Sequence, residues 1–438
     1  MSTKPPDLLA RIMRSASKIE PNELRAVLLS FGFVFTLMAA YYILRPVRDA
    51  MASDWTDAEL STLFTATFLF SIAAVFLYGA AASRVKFRWL VPGVYGFFAI
   101  SFVAFYLAVQ VSSNGVLVDK AFYVWVSVFS LFQISVFWSL MADIFSKEQA
   151  PRLFAFIAVG ASVGALVGPL VPLLFAGMGA ANLMLIAAAL LLVPLPVIGM
   201  LERIKVTELH NEAVHIDLTE QQAIGGNPFA GFKLFLQSPY LLGIGLFIFL
   251  YTGISTFVYF EIKNLLAGVD ETLRTQIWAG MDWAVNFLAI GTAMFATGRI
   301  ATRFGLAVTL ALVPIVIVAG LLVVAMAPMI WVVVGLQVVR RAGNYAITRP
   351  GREMLYTVVD RETRFKAKPF IDIVVYRGGD MVTAWAFTGL TQGVGLGLGA
   401  VAAVGAGIAA IWAAVGAYLG RAYQRDRAEP ESKVAEYA

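Results

Sequence analysis

The sequence predicts an all-α polytopic membrane protein of about twelve transmembrane helices, arranged as two six-helix pseudo-repeats. Three observations lead there. Hydrophobic residues make up 60% of the 438 and charged residues only 14%, against about 25% charged in a soluble domain. Apolar runs long enough to cross a bilayer recur along the whole chain. Lys and Arg gather in alternate connecting loops, which is the charge pattern that orients membrane helices.

The spans read at roughly 24–44, 58–80, 89–110, 121–142, 153–176, 181–201, 240–262, 277–298, 304–326, 328–348, 369–390 and 394–420. None alternates polar and apolar residues with period two, so a membrane β-barrel is excluded. Residues 1–23 are polar and mixed in charge, without the short apolar core of a cleavable signal. The first span therefore reads as an uncleaved anchor.

Basic residues set the orientation. The stretch before span 1 holds Lys4, Arg11, Arg14, Lys18 and Arg25; the 2–3 loop holds Arg84, Lys86 and Arg88; the 4–5 loop holds Lys147 and Arg152. Arg299 and Arg303 occupy the 8–9 loop, at least six basic residues the 10–11 loop, and Arg421, Arg425 and Arg427 follow span 12. Loops 5–6, 9–10 and 11–12 have no Lys or Arg. Both termini are expected in the cytoplasm of a multi-pass inner-membrane protein, which requires an even number of spans. The layout is then a cytoplasmic tail over 1–23, a six-helix bundle over 24–201, a cytoplasmic linker over 202–239, a second bundle over 240–420 and a tail over 421–438.

The two halves carry a weak repeat. Gly79 to Arg88 reads GAAASRVKFR and Gly298 to Gly305 reads GRIATRFG, with Arg84 and Arg303 219 residues apart. These segments resemble degenerate forms of the Gly–Asp–Arg loop motif of the major facilitator superfamily, whose paired six-helix halves match this layout. Ser83 and Thr302 stand where the motif has Asp.

Composition also excludes function classes. With no Cys there is no disulfide framework and no thiolate chemistry. His210 and His215 share one polar stretch, so no His-based zinc or catalytic centre is expected in the membrane. The net charge of +5 sits in loops beside apolar spans and is read as topology, not nucleic-acid binding. Neither a Ser/His/Asp set nor a phosphate-binding loop appears. The chain is expected to be no enzyme and to use no cofactor. The run Gly393 to Gly399 has no strand before it and no Lys-Ser/Thr after it, so it reads as small-residue packing in span 12. Gly160, Gly164 and Gly168 in span 5 read as a second close-packing face.

Three constellations could carry chemistry. The first is Ile43-Leu44-Arg45-Pro46-Val47-Arg48-Asp49, at the non-cytoplasmic end of span 1. Either both arginines reach headgroups with Asp49 as partner, or Pro46 breaks the helix and turns the guanidiniums into a central cavity. Their planar fork suits phosphate or carboxylate. The second runs from Arg352 to Asp380. Its first part reads as a solvated basic loop. Arg377 and Asp380 lie roughly 13 to 18 Å inside span 11 when counted from Lys368. Three residues apart, they can pair on one face, as a structural ion pair or as part of a solute site. The third is Asp282 with Asn286 in span 8, read either as a hydrated cap or as a coupling site for a proton or cation. Gln133, and Gln337 beside Arg340 and Arg341, read as glue between helices.

At these residues the chain resembles the bacterial and plastid ATP/ADP translocases, the NTP/NDP exchange transporters. The match is Arg352-Glu353-Met354-Leu355-Tyr356, Asp360, Glu362, Arg364, Lys366, Lys368 and Ile371-Asp372, with Ile43-Leu44-Arg45 and Arg48-Asp49 as a second segment and Phe137-Trp138 with Arg152 as a third. The resemblance implies a twelve-helix antiporter. It carries solute-binding charges onto Arg48 and onto Lys366 or Lys368. The family's helix-7 acid is replaced by Tyr259, with Glu261 two residues on, which points beyond strict ATP-for-ADP exchange.

The resulting expectation is a secondary transporter working by alternating access on an anionic, phosphorylated solute, a nucleotide or another phosphorylated metabolite. Arg45, Arg48, Lys366, Lys368 and Arg377 would bind the solute. Asp49, Asp282, Asp372 and Asp380 would serve as coupling or ion-pairing groups. Its partners would be that solute and the lipid bilayer, with no nucleic acid, and the chain would act as a monomer. The alternatives are a facilitator-type carrier of another metabolite or drug, and a non-transporting sensor or docking module working through the 202–239 and 350–368 loops.

Overall fold

The computed structural model describes residues 19–82, 84–85, 87–112, 115–211, 228–359, 363, 367–368 and 370–436. No strand occurs among the described residues. The helices are α1 (Leu24–Met51), α2 (Asp57–Ala82), α3 (Phe87–Val111), α4 (Gly115–Ile144), α5 (Ala150–Val167), α6 (Leu170–Phe175), α7 (Ala180–Leu192) and α8 (Pro194–Thr207). They continue with α9 (Pro228–Gln237), α10 (Pro239–Leu266), α11 (Glu271–Thr292), α12 (Gly298–Met326), α13 (Ile330–Gly343), α14 (Arg349–Leu355), α15 (Tyr376–Thr388) and α16 (Leu398–Glu436). Lys366 lies outside the described residues, as do His215 and most of the charged 360–366 run.

Among the described residues, nine helical stretches are long and apolar enough to span a bilayer. They coincide with predicted spans 1 to 7, 9 and 12. Predicted spans 8, 10 and 11 correspond to α11, α13 and α15, and these differ for a physical reason. Each carries ionisable residues in its interior, and each adjoins a π-helical turn, at Ala293–Thr297, Asn344–Thr348, or Ile371–Val375 and Gly389–Gly393. Such turns interrupt the regular hydrogen-bond ladder and collect at functional sites. Irregular backbone at membrane depth is tolerated where protein, not lipid, surrounds it.

Local sequence explains several element ends. Ser238 caps α10 by accepting from the Leu241 amide at 3.3 Å, with Pro239 in the first turn where no N–H is needed. Asp270 caps α11 by accepting from the amides of Thr272 at 2.9 Å and Leu273 at 3.3 Å. Gly305 takes φ +74° inside α12 and breaks it where spans 8 and 9 join, a conformation that side chains with a Cβ resist. One expectation fails: Pro46 does not break α1, which runs helical to Met51. A proline removes one backbone donor, and a packed membrane helix can absorb that loss.

The chain forms two compact units. The first comprises the described parts of Met1–Arg48, Phe70–Leu218 and Thr275–Trp283. Its tightest packing is α5 on α1. A Cβ at Gly160 would lie 2.6 Å from the Phe31 carbonyl oxygen and one at Gly168 2.7 Å from that of Ala39, with Gly164 equally close to Phe35. The three glycines therefore form the close-packing face that the spacing predicts.

The second unit comprises the described parts of Asp49–Leu69, Thr219–Arg274 and Ala284–Ala438. Here α12 packs along α16, with Gly416 and Gly420 against the backbone of Leu310 and of Leu306 and Ala307. The glycine-rich run before α16 is mostly a turn, with Gly395 at φ +78°, and only Gly399 packs closely, on Ala325. That run breaks the chain between spans 11 and 12 instead of lying inside span 12. Within the stretch read as a linker, α8 extends to Thr207 and α9 lies over 228–237, its Phe235 ring 5.4 Å from that of Phe370.

Candidate functional site

In the first unit, α1 presents Arg45 and Arg48 one turn apart. The Arg48 guanidinium donates from Nη1 to Ser127 Oγ at 3.1 Å and lies over the Tyr123 ring, 5.3 Å from its centroid. Ser127 in turn donates to the Tyr123 carbonyl at 2.8 Å, which fixes the hydroxyl on α4. Arg45 Nε lies 3.9 Å from Asp282 Oδ2, and the Asp282 side chain is 2% exposed. Asp282 is thus buried eleven residues into α11 and is not a hydrated cap. Both arginines are part-buried among protein groups.

In the second unit, Arg377 Nη1 lies 3.9 Å from Asp380 Oδ2, three residues on, with both side chains part-buried. Gly379 between them seats α15 against Thr252 and Phe249 of α10. Asp49 is buried and accepts a hydrogen bond from the Tyr259 hydroxyl at 3.2 Å. Tyr259 of α10 therefore bonds an acid from α1.

Lys368 and Asp372 belong to a different cluster around α14. Lys368 Nζ donates to Glu353 Oε2 at 2.5 Å, and Arg352 Nη2 lies 3.2 Å from Glu353 Oε1 and 3.5 Å from Asp372 Oδ1. Burial pushes the Glu353 carboxyl up, but the hydrogen bond and charge of Lys368, with those of Arg352, outweigh it and hold it below the ordinary value. These charges pair with one another and form a set distinct from those on α1 and α15.

Two features were missed by reasoning from sequence. The first is a buried ion pair: Lys263 Nζ donates to Asp57 Oδ1 at 2.7 Å and to Asn264 Oδ1 at 2.8 Å. Asn264 Nδ2 donates to the same Asp57 oxygen at 3.1 Å, and Thr391 Oγ1 to Asp57 Oδ2 at 2.8 Å. This network ties α2 and α10 to the π turn after α15. The second is Arg340, read as a neighbour of glue but 2% exposed. Its Nε and Nη2 both donate to Gln337 Oε1, at 2.9 and 2.8 Å. A basic residue in the middle of an apolar span was the signal available for it.

The structure therefore brings Arg45 to Asp282, Arg377 to Asp380, and Lys368 and Asp372 to Glu353 and Arg352. No group of three or more His, Asp or Glu able to hold a metal occurs among the described residues. The arrangement offers forked donors, hydroxyls and aromatic faces, which suit binding and reorienting a solute.

The sequence profile of the Major Facilitator Superfamily matches residues 29–350. Among solved structures, a bacterial homologue of the human lysosomal transporter Spinster, inward-facing and unoccupied, superposes with a TM-score of 0.56 at 14% identity, covering 93% of this chain and 99% of that one. The nucleoside transporter NupG gives 0.57 at 14% identity, with 91% and 99% covered. A POT family transporter in complex with a thioalcohol-conjugated peptide gives 0.59 at 11%, with 89% and 95% covered. At these identities the likeness is one of fold. No curated protein matches the sequence.

Proposed function

The chain belongs to the Major Facilitator Superfamily, and on that footing we propose that the solute this secondary transporter moves is anionic and phosphorylated, of the nucleotide type. The observation that carries the reading is Arg48. A guanidinium on a spanning helix is part-buried and turned toward Ser127 and the Tyr123 ring of α4. A cation is costly at membrane depth and is retained there for a purpose, most often to line a solute or ion path. At about 4 Å and an effective dielectric near 20, one Arg–phosphate contact contributes roughly 4 kcal/mol before desolvation. Such contacts, from Arg45 and Arg48 of the first unit or from Arg377 of the second, offset part of the cost of taking a charged anion out of water.

The segments 43–49 and 352–372, which resemble the ATP/ADP translocases, support exchange of one phosphorylated compound for another. The basic loops support an inner-membrane placement with both termini in the cytoplasm. The test is uptake of labelled phosphorylated metabolites into proteoliposomes by wild type and by an Arg48→Gln, Arg377→Gln double variant. The variant should lose anion uptake while remaining folded. Undiminished uptake would remove both arginines from the solute path.

A further inference from the structure

We propose that Arg340 of α13 is an oxyanion subsite of the second unit, which grips a phosphoryl or carboxylate oxygen of the solute. The proposal rests on the anionic-solute reading above and extends it to a residue that reading did not use.

Arg340 lies ten residues into α13, within predicted span 10, and is 2% exposed. Two of its three guanidinium nitrogens are committed to a single neutral acceptor, the Gln337 amide oxygen one turn earlier. That contact fixes the plane of the fork without neutralising it. The third nitrogen, Nη1, is buried and has no hydrogen-bond acceptor among the described residues. Nor does any carboxylate lie within ion-pair distance of Arg340 among them. Asp380 interacts electrostatically with Arg340 but forms its ion pair, at 3.9 Å, with Arg377.

The surroundings are aromatic. The guanidinium stands 5.7 Å from the Tyr251 ring centroid, and that ring is 6.1 Å from Tyr376 and 5.7 Å from Trp412. One cation–π contact returns less than a lone buried guanidinium costs in a membrane. Asp380 attracts the guanidinium from beyond ion-pair distance, but no group among the described residues gives Nη1 an acceptor. An oxyanion on Nη1 supplies it. The π turn at Asn344–Thr348, directly after α13, places irregular backbone beside the same residue. Gln337 is on this account a positioning residue: it aims the fork and does not touch the solute.

The test is thermal stabilisation of the purified full-length protein by sodium phosphate, against sodium chloride at matched ionic strength, for wild type, Arg340→Gln, Arg340→Lys, Gln337→Leu and Arg48→Gln. Wild type should be stabilised with a measurable apparent Kd. Arg340→Gln should weaken that Kd about tenfold or more, the size expected for losing a charge-assisted hydrogen bond. Arg340→Lys should fall between, because it keeps the charge and loses the fork. Gln337→Leu should weaken binding a few-fold, about what loosening a fixed side chain costs. Equal phosphate affinity in wild type and Arg340→Gln would overturn the subsite. Where Arg340→Gln fails to fold, unchanged affinity in both Arg340→Lys and Gln337→Leu overturns it. If only Arg48→Gln loses the response, or if phosphorylated compounds are taken up without any phosphate response, the subsite falls and the anionic-solute reading stands. No response together with no uptake of any phosphorylated compound removes both.

Discussion

Lys263→Met separates what the buried network between α2 and α10 contributes. In the folded protein the Lys263 and Asp57 side chains are 2% and 7% exposed and 2.7 Å apart. Removing one partner of a buried pair costs about 3–5 kcal/mol, because the remaining charge stays buried without compensation. Asp57 would keep Asn264 Nδ2 at 3.1 Å and Thr391 Oγ1 at 2.8 Å, so the lower end applies and the expected loss is about 3 kcal/mol. The double variant Asp57→Asn, Lys263→Met removes both charges and keeps an amide that can satisfy Asn264 and Thr391. It should recover to within about 1 kcal/mol of wild type. The assay is reversible denaturant unfolding in micelles across the four members of the cycle. A single-variant loss below about 1 kcal/mol, or a double variant as unstable as the two singles summed, would show that the pair is not a coupled buried unit.

Other outcomes follow from the same physics. Gly164→Leu should split α5 from α1, because its Cβ would press on the Phe35 carbonyl. Such overpacking costs about 1–3 kcal/mol and is read as loss of monodisperse protein on size exclusion. Arg152→Gln strands the Glu23 carboxylate, which Arg152 holds at 2.8 and 2.5 Å. Gln149 still donates to it at 3.0 Å and Arg152 is partly exposed, so the expected loss is about 2 kcal/mol in the same unfolding assay. The Glu353 carboxyl, held below its ordinary 4.5 when folded, contributes stability that is full above that value and is lost as pH falls below it toward the folded value. Melting temperature should drop in that acid window, and Glu353→Gln should flatten the drop. An identical profile for both would refute the ion-pair assignment.

How much of this was legible in the sequence depends on the range of the signal. The apolar runs and loop charges mark α1 to α5 and α10 because those signals are local and repeat. The glycines of α5 are legible for the same reason, since a spacing of four puts them on one helix face. The π turns beside α11, α13 and α15 leave no trace in hydropathy, because they change hydrogen bonding without changing composition. Pro46 misleads because a proline's effect depends on the neighbours that take up its missing donor. The ion pair of Asp57 with Lys263 joins residues 206 apart, and nothing local names either one as the partner of the other. Arg377 and Asp380 are readable as a pair because they are three residues apart. Arg45 and Asp282 are not, because their pairing requires α1 and α11 to meet. Arg340 was visible as a charge in a span, but so was Arg341, which is equally buried; only the contacts to Gln337 and Tyr251 set Arg340 apart.

The central claim, that the solute is a phosphorylated anion, is tested most directly by matched pairs of cargo. Counterflow into proteoliposomes should be measured for a nucleotide against its nucleoside, and for a sugar phosphate against its sugar. The account predicts that at least one phosphorylated member is exchanged and that its neutral counterpart is not. Transport of the neutral members with exclusion of the phosphorylated ones would contradict it.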